Sequence, residues 1–185
     1  MVLLLKIEVV NVVATANTGY PVDLPRLAKQ PYVTYNPSRY RCAYFKDDSM
    51  EAKVSVFASG KLIAVGAKSE KSAERDLTHV VKKLSRLGLV KESRPKVTVQ
   101  NIVITVELGT SINLDELQSV VPGIVYEPEQ FPGAIFRPMD SDATALIFAS
   151  GKMVVAGIKA KESIDEDVRA VLKELNLEEI LQQES

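Results

Sequence analysis

One stretch of this chain occurs twice, and the second occurrence limits what the first can fold into. YEPEQFPGAIFR at 126–137, followed after a polar turn by ALIFASGKMVVAGIK at 145–159, has a weaker copy in YNPSRYRCAYFK at 35–46 and VSVFASGKLIAVGAK at 54–68. Tyr35, Pro37, Phe57, Gly60, Lys61, Gly66 and Lys68 recur as Tyr126, Pro128, Phe148, Gly151, Lys152, Gly157 and Lys159, always at an offset of 91 residues (148 − 57). A single offset held by glycines, prolines and aromatics through two segments marks two copies of one structural unit. The relation reaches back to the start, where Val10-Asn11-Val12-Val13 returns as Gln100-Asn101-Ile102-Val103. The apolar opening MVLLLKIEVVNVVA, interrupted by Lys6 and Glu8, is therefore expected to belong to the repeated fold and not to a signal peptide or membrane span.

The halves so defined are 1–92 and 93–185, joined at Glu92-Ser93-Arg94-Pro95, a linker too short to let them tumble apart. Side-by-side packing with pseudo-twofold symmetry is the expected arrangement. A hydrophobic content of 46% is ample for their cores. The net charge of −1, from 23 basic and 24 acidic residues, argues against nonspecific coating of nucleic acid but leaves room for a local basic surface. The lone cysteine, Cys42, excludes an internal disulfide and makes a reducing, intracellular location the default, and no Cys or His pair has metal-ligand spacing.

Each half opens with an alternating apolar strand, at 6–14 and 96–107, followed by a short helix whose start is signalled by Asp23-Leu24 and Asn113-Leu114. Strands dominate the middle. The runs at 55–65 and 146–156, broken at Ser59-Gly60-Lys61 and Ser150-Gly151-Lys152, read as hairpins. A longer amphipathic helix closes each half. The first, at 69–87, carries Ala73, Leu77, Val80, Val81, Leu84 and Leu87 on one stripe and ends at Gly88. The second begins with Ser163 and Glu166 at capping-box spacing and carries Ile164, Val168, Val171, Leu172 and Leu175. Arg75, Lys82, Lys83 and Arg86 make the outer face of the first basic, and Asp165, Glu166, Asp167 and Glu174 make that of the second acidic. Such faces are usually just solvated, although the basic one could dock a partner. The acidic, Gln-rich end from Leu177 is expected to fray.

Catalysis needs converging acids, bases or nucleophiles. The single histidine, His79, lies in a charged helix without a duplicate, and Cys42 falls in a strand with no histidine nearby. No phosphate-binding loop or dinucleotide fingerprint is present, so neither an enzyme nor a cofactor is expected. The duplicated residues are instead apolar side chains on strands (Val13, Val103, Phe57, Phe148), an amide (Asn11, Asn101), and lysines past a turn (Lys61, Lys152) or at a strand end (Lys68, Lys159). Strand phenylalanines ordinarily fill a core. An apolar sheet face rimmed by cations is also what a minor-groove binder requires, because apolar surface lies on sugars and base edges, amides meet acceptors, and lysines neutralise phosphates.

The paired QNIV, YEPEQFPG, LIF.SGK and Gly-x-Lys elements resemble the TATA-binding protein family of archaea and eukaryotes over essentially the whole chain, with the second half the closer match. That resemblance implies an α+β saddle: a curved antiparallel sheet of about ten strands from two duplicated halves, with four helices on the convex side. It implies wedges at Tyr40 and Phe57 in the first half and at Phe131 and Phe148 in the second. It implies minor-groove contacts at Asn11, Val13, Ile63, Val65, Asn101, Val103, Leu146, Val154 and Ala156. Phosphate contacts are implied at Arg39, Lys46, Lys61, Lys68, Arg137, Lys152 and Lys159, and a surface for transcription factor B at Glu127, Glu129 and Gln130. The implied partners are promoter DNA, transcription factor B, RNA polymerase indirectly, and a second copy through the concave face when DNA is absent. No membrane partner is implied. The implied location is the nucleoid of an archaeal cell, or the nucleus of a eukaryotic one.

Some DNA-facing positions depart from the family pattern. Val65 and Ala156 replace paired threonines, Ser55 stands where an apolar residue is usual, Tyr40 replaces a phenylalanine, and Glu51 and Asp142 stand where cations are frequent. Two readings follow: an initiation factor that binds and bends TATA-like DNA, or an interaction module with weakened DNA binding that engages transcription factor B or another regulator.

Overall fold

A computed structural model describes residues 5–139 and 141–177. The first four residues of the apolar opening and the end read as fraying, from 178 onward, lie outside the described residues. The elements run β1 (Lys6–Asn17), α1 (Leu24–Leu27), β2 (Val33–Thr34), β3 (Cys42–Phe45), β4 (Lys53–Phe57), β5 (Lys61–Ala67), α2 (Glu70–Arg86), β6 (Thr98–Glu107), α3 (Leu114–Val120), β7 (Gly133–Phe136), β8 (Thr144–Phe148), β9 (Lys152–Ile158) and α4 (Ile164–Glu174). Both hairpins fall where the Ser-Gly-Lys breaks put them. The strands of the first half are hydrogen-bonded in the order β2-β3-β4-β5-β1, and those of the second in the order β6-β9-β8-β7. Two compact units divide the chain inside β1: Met1–Val10 with Asn101–Ser185, and Asn11–Gln100.

The unit Asn11–Gln100 shows how the sequence builds its layers. Side chains alternate across a strand, so Val12, Ala14 and Ala16 of β1, Val54 and Val56 of β4, and Leu62 and Ala64 of β5 point to one face, where all are buried. The stripe on α2 closes over that face with Ala73, Leu77, Val80, Val81 and Leu84, all buried. Each such large aliphatic side chain contributes about 1.5–3 kcal/mol on leaving water. The other unit repeats the scheme with Ile102, Ile104, Ile147, Met153 and Val155 beneath Val168, Val171 and Leu172 of α4. In both units the side chains on the opposite sheet face stay half-buried or exposed among the described residues.

Nine strands are present among the described residues. The place of a tenth, the counterpart of β2, is held by one bridge in which Val125 and Ile135 exchange N–H···O bonds of 3.0 and 2.8 Å. The short helices start as the sequence predicts, with Asp23 accepting from Arg26 N–H at 2.9 Å and Asn113 from Glu116 N–H at 3.2 Å. Helix α2 adds a reciprocal cap that the sequence reading overlooked. Ser69 accepts from Ser72 N–H at 3.0 Å, while Ser69 N–H donates to Ser72 Oγ at 3.1 Å. Gly88 ends this helix in the left-handed region, at φ 65°.

The capping box expected at Ser163 is not formed. A 3₁₀ turn over Lys161–Ser163 leads into α4, so Ser163 is already helical (φ −88°, ψ −5°) and its hydroxyl cannot reach back to a free amide. That hydroxyl lies instead 2.9 Å from Asp167 Oδ2 and 3.0 Å from the Ala160 carbonyl.

Candidate nucleic-acid interface

The strand alternation that buries one set of side chains brings a second set to the open face. In the first repeat these are Asn11, Val13 and Thr15 of β1, Tyr44 of β3, Ser55 and Phe57 of β4, and Ile63 and Val65 of β5. In the second they are Asn101, Val103 and Thr105, Ile135, Leu146 and Phe148, and Val154 and Ala156. Register joins them into matched floors, with Ser55 opposite Ile63 and Val13 opposite Val65 in one, and Leu146 opposite Val154 in the other. Most are half-buried, and Val65 is 44% exposed. Apolar side chains held open to water in this way make the face a candidate binding surface.

The two asparagines are fixed alike. Asn11 Oδ1 accepts from Gly66 N–H at 2.8 Å, and Asn101 Oδ1 accepts from Gly157 N–H at 2.8 Å. Gly66 and Gly157 sit at φ 99° and 102°, which disfavours any side chain there, and the ladders of β1 and β6 slip at those points. A backbone N–H can only donate, so each amide presents its oxygen to the glycine and leaves its NH₂ group as the outward donor.

The aromatic pairs are not equivalent. Phe131 and Phe148 stand edge to face with centroids 5.9 Å apart. Gly133 makes this possible, because a Cβ there would lie 2.9 Å from one ring and 3.1 Å from the other. In the first repeat that place belongs to Cys42, which is opposite Phe57 as Gly133 is opposite Phe148. Cys42 is buried there, and Tyr40 makes an edge contact with Tyr44 at 5.4 Å. Tyr40 is 48% exposed. The loops before Tyr40 and Phe131 match: Asn36 O accepts from Arg39 and Tyr40 N–H at 3.1 and 2.9 Å, and Glu127 O from Gln130 and Phe131 N–H, both at 2.9 Å.

Arg39, Lys61, Arg137, Lys152 and Lys159 are exposed, and no ion pair with another described residue neutralises them. Lys68 is exposed at the end of β5. Lys46 differs, since its ammonium donates to the carbonyls of Met50 and, at 2.8 Å, Glu51, and is thereby held against its own loop. Glu51 is compensated in turn. Ser72 and the Lys68 N–H, with Arg75 at 3.6 Å, hold its carboxyl below the usual range. Glu127, Glu129 and Gln130 are all exposed.

The outer face of α2 is only partly free to dock anything. Arg75 pairs with Asp76 at 3.1 Å, and Lys83 lies 5.3 Å from the centre of the Tyr32 ring. His79 Nε2 is 2.7 Å from Asp47 Oδ2 and lies edge-on to Phe45. No group of three His, Cys, Asp or Glu residues that could hold a metal occurs among the described residues. No described helix is long and apolar enough to cross a membrane.

Five features of this face escaped the sequence reading. Tyr44, its counterpart Ile135 and the threonines Thr15 and Thr105 become visible as surface residues only through register. The exchange of Gly133 for Cys42 is visible at the 91-residue offset, but its meaning depends on which rings flank it.

A family model described as "Transcription factor TFIID (or TATA-binding protein, TBP)" matches residues 6–87 and again 96–177. A TATA-box-binding protein of Cenarchaeum symbiosum is 38% identical over 171 residues, 91% of this chain and 93% of that protein. One of Pyrococcus abyssi is 34% identical over 180 residues, covering 97% and 94%. The solved structure of Methanococcus jannaschii TBP superposes with a TM-score of 0.84 at 33% identity, covering 92% of this chain and 98% of that one.

Proposed function

The chain belongs to the TATA-binding protein family, a family of non-enzymatic DNA-binding transcription factors, and from that membership we propose how its own residues do the work. It is a general transcription initiation factor that binds TATA-like promoter DNA, and each repeat, 1–92 and 93–185, supplies half of a minor-groove surface. The observation that carries this reading is the matched pair of asparagines, each oriented by a glycine N–H at 2.8 Å so that donors face outward from an apolar floor. In the minor groove, A·T pairs present acceptors only, which suits those donors.

Phe131 and Phe148, and Tyr40 and Phe57, wedge into base steps. Unstacking costs a few kcal/mol per step and is offset by the extra protein surface a bent duplex meets. Pyrimidine–purine steps deform most readily, so TATA-like sequences are selected by stiffness as well as by contact. Val13, Val65, Ile63, Val103, Leu146, Val154 and Ala156 line the floor. Arg39, Lys61, Lys68, Arg137, Lys152 and Lys159 meet phosphates, with Lys46 joining only if it leaves its loop carbonyls. Glu127, Glu129 and Gln130 receive transcription factor B, through which RNA polymerase is recruited at the nucleoid. Without DNA, the exposed apolar face pairs with a second copy, which sedimentation at increasing concentration would reveal. The test of the central reading is a fluorescence titration on TATA and scrambled duplexes at two salt concentrations. Equal, feeble binding to both would end it.

A second reading is favoured by Val65 and Ala156, which bring no hydroxyl to the floor, beside exposed Glu127 and Glu129. The chain would then act mainly by engaging transcription factor B or another regulator. Capture of purified transcription factor B without DNA, abolished by Glu129→Lys, would support it; capture that occurs only with DNA present would count against it.

A further inference from the structure

The two open faces differ most at one cross-strand pair. In the second repeat Ile135 is opposite Leu146, and in the first Tyr44 is opposite Ser55, at the same register. The strand on the far side is aliphatic in both, with Ile63 beside Ser55 and Val154 beside Leu146. The first repeat thus has two hydroxyls where the second has two aliphatic side chains. Among the described residues no hydrogen bond reaches the Ser55 hydroxyl. The Tyr44 ring is held on the face by the Tyr40 edge at 5.4 Å and by Lys53 Nζ, 5.6 Å from its centre. Burial, and then the adjacent Cys42 thiol, raise the Tyr44 phenol above its ordinary value, so it stays neutral and can both donate and accept.

Minor-groove chemistry gives this difference a consequence. A·T and T·A pairs show only acceptors there, while G·C adds the guanine amino group, a donor projecting into the groove. An aliphatic floor offers that amino group no partner and leaves it desolvated. A hydroxyl accepts from it as readily as it donates to an adenine or thymine acceptor.

We infer that the first repeat tolerates a G·C pair against Tyr44 and Ser55, whereas the second repeat excludes one against Ile135 and Leu146. The protein therefore reads an asymmetric site, strict in one half and permissive in the other. This rests on the DNA-binding reading above and adds the base preference of each half.

The full chain is titrated against an A/T-rich duplex in which one pair at a time is replaced by G·C. A parallel series uses inosine·cytosine, which keeps the major-groove face of G·C but lacks the minor-groove amino group. In the permissive half, G·C substitution is expected to weaken binding by less than about threefold; at the related position of the strict half the loss is roughly tenfold or more. Inosine·cytosine should behave like A·T in both halves. Ser55→Leu combined with Tyr44→Ile should make both halves strict, and Ser55→Ala, which alters little volume, should move in the same direction. Equal G·C penalties in the two halves, or an asymmetry unchanged in the double variant, would overturn the inference. A parent A/T duplex bound no better than its scramble would instead remove the DNA-binding reading, and this inference with it.

Discussion

The side-chain oxygen of Asn101 accepts the backbone N–H of Gly157 at 2.8 Å, and that one contact settles which way the amide faces. It joins residues on neighbouring strands, depends on a glycine at φ 102°, and has its copy in Asn11 and Gly66. The bond is structural, while the NH₂ group it leaves outward is available for recognition.

Asn101→Asp separates those two roles. The carboxylate still accepts from Gly157, so thermal unfolding should shift by only a few degrees. It has no donor and sets a negative charge against groove acceptors, so affinity for a TATA duplex should fall by well over tenfold. Asn101→Ala should lower both, with a stability loss of about 1–2 kcal/mol from the unpaired N–H. Anisotropy titration and calorimetry on both variants check this.

Gly133→Ala places a methyl group 2.9 Å from Phe131 and 3.1 Å from Phe148, forcing apart rings now 5.9 Å between centroids. DNA bending, read as energy transfer between dyes at the ends of a short duplex, should decrease more than affinity does. Cys42→Gly opens the corresponding space in the first repeat. Quenching between Tyr40 and a base analogue at the adjacent step should then increase.

Asp76 is a buried carboxylate, 1% exposed, whose Oδ2 accepts from Glu51 and Ala52 N–H at 2.8 and 2.7 Å. It ties α2 to the loop between β3 and β4. Asp76→Ala leaves both amides unpaired and removes the partner of Arg75, so urea unfolding should show a loss of about 2–4 kcal/mol. Arg75→Ala, at an exposed site, should lose much less.

Acid unfolding should register Asp47. Burial opposes its ionisation, but hydrogen bonds from Ser49 and His79 outweigh this and bring the carboxyl to about 2 from an ordinary 3.8. The folded state thus binds this proton more weakly than the unfolded chain does. The stabilisation is present in full above 3.8 and is lost as the pH falls through about 2. Asp47→Asn should flatten the stability profile across that window and leave its shape near neutrality little changed, as followed by circular dichroism.

Much of the fold was legible because its signals are local. Alternation marked β1 and β6, a Gly-containing break marked each hairpin, and a stripe of apolar residues marked α2 and α4. An offset of 90 residues for β1 and β6 (101 − 11), and of 91 for the hairpins and the long helices (148 − 57), meant that each assignment could be checked against its copy. Where local signals had competitors, the reading failed: Ser163 and Glu166 have the spacing of a capping box, but a preceding 3₁₀ turn had already used the geometry that box needs.

From the sequence alone come the duplication, the strand and helix periods, and the identity of the apolar, amide and cationic side chains that recur. Tertiary structure decided which of them meet: that Tyr44 lies beside Ser55, that Lys46 is held by its own loop, that Cys42 stands opposite Phe57 where Gly133 stands opposite Phe148, and that Gly66 and Gly157 aim two amides. The physical reason is the range of the forces involved. Periodicity is fixed by the chain's own dihedral preferences, whereas register and cross-strand neighbours are set by whole faces packing together, and a contact spanning 56 residues, as from Asn101 to Gly157, is written in no local stretch.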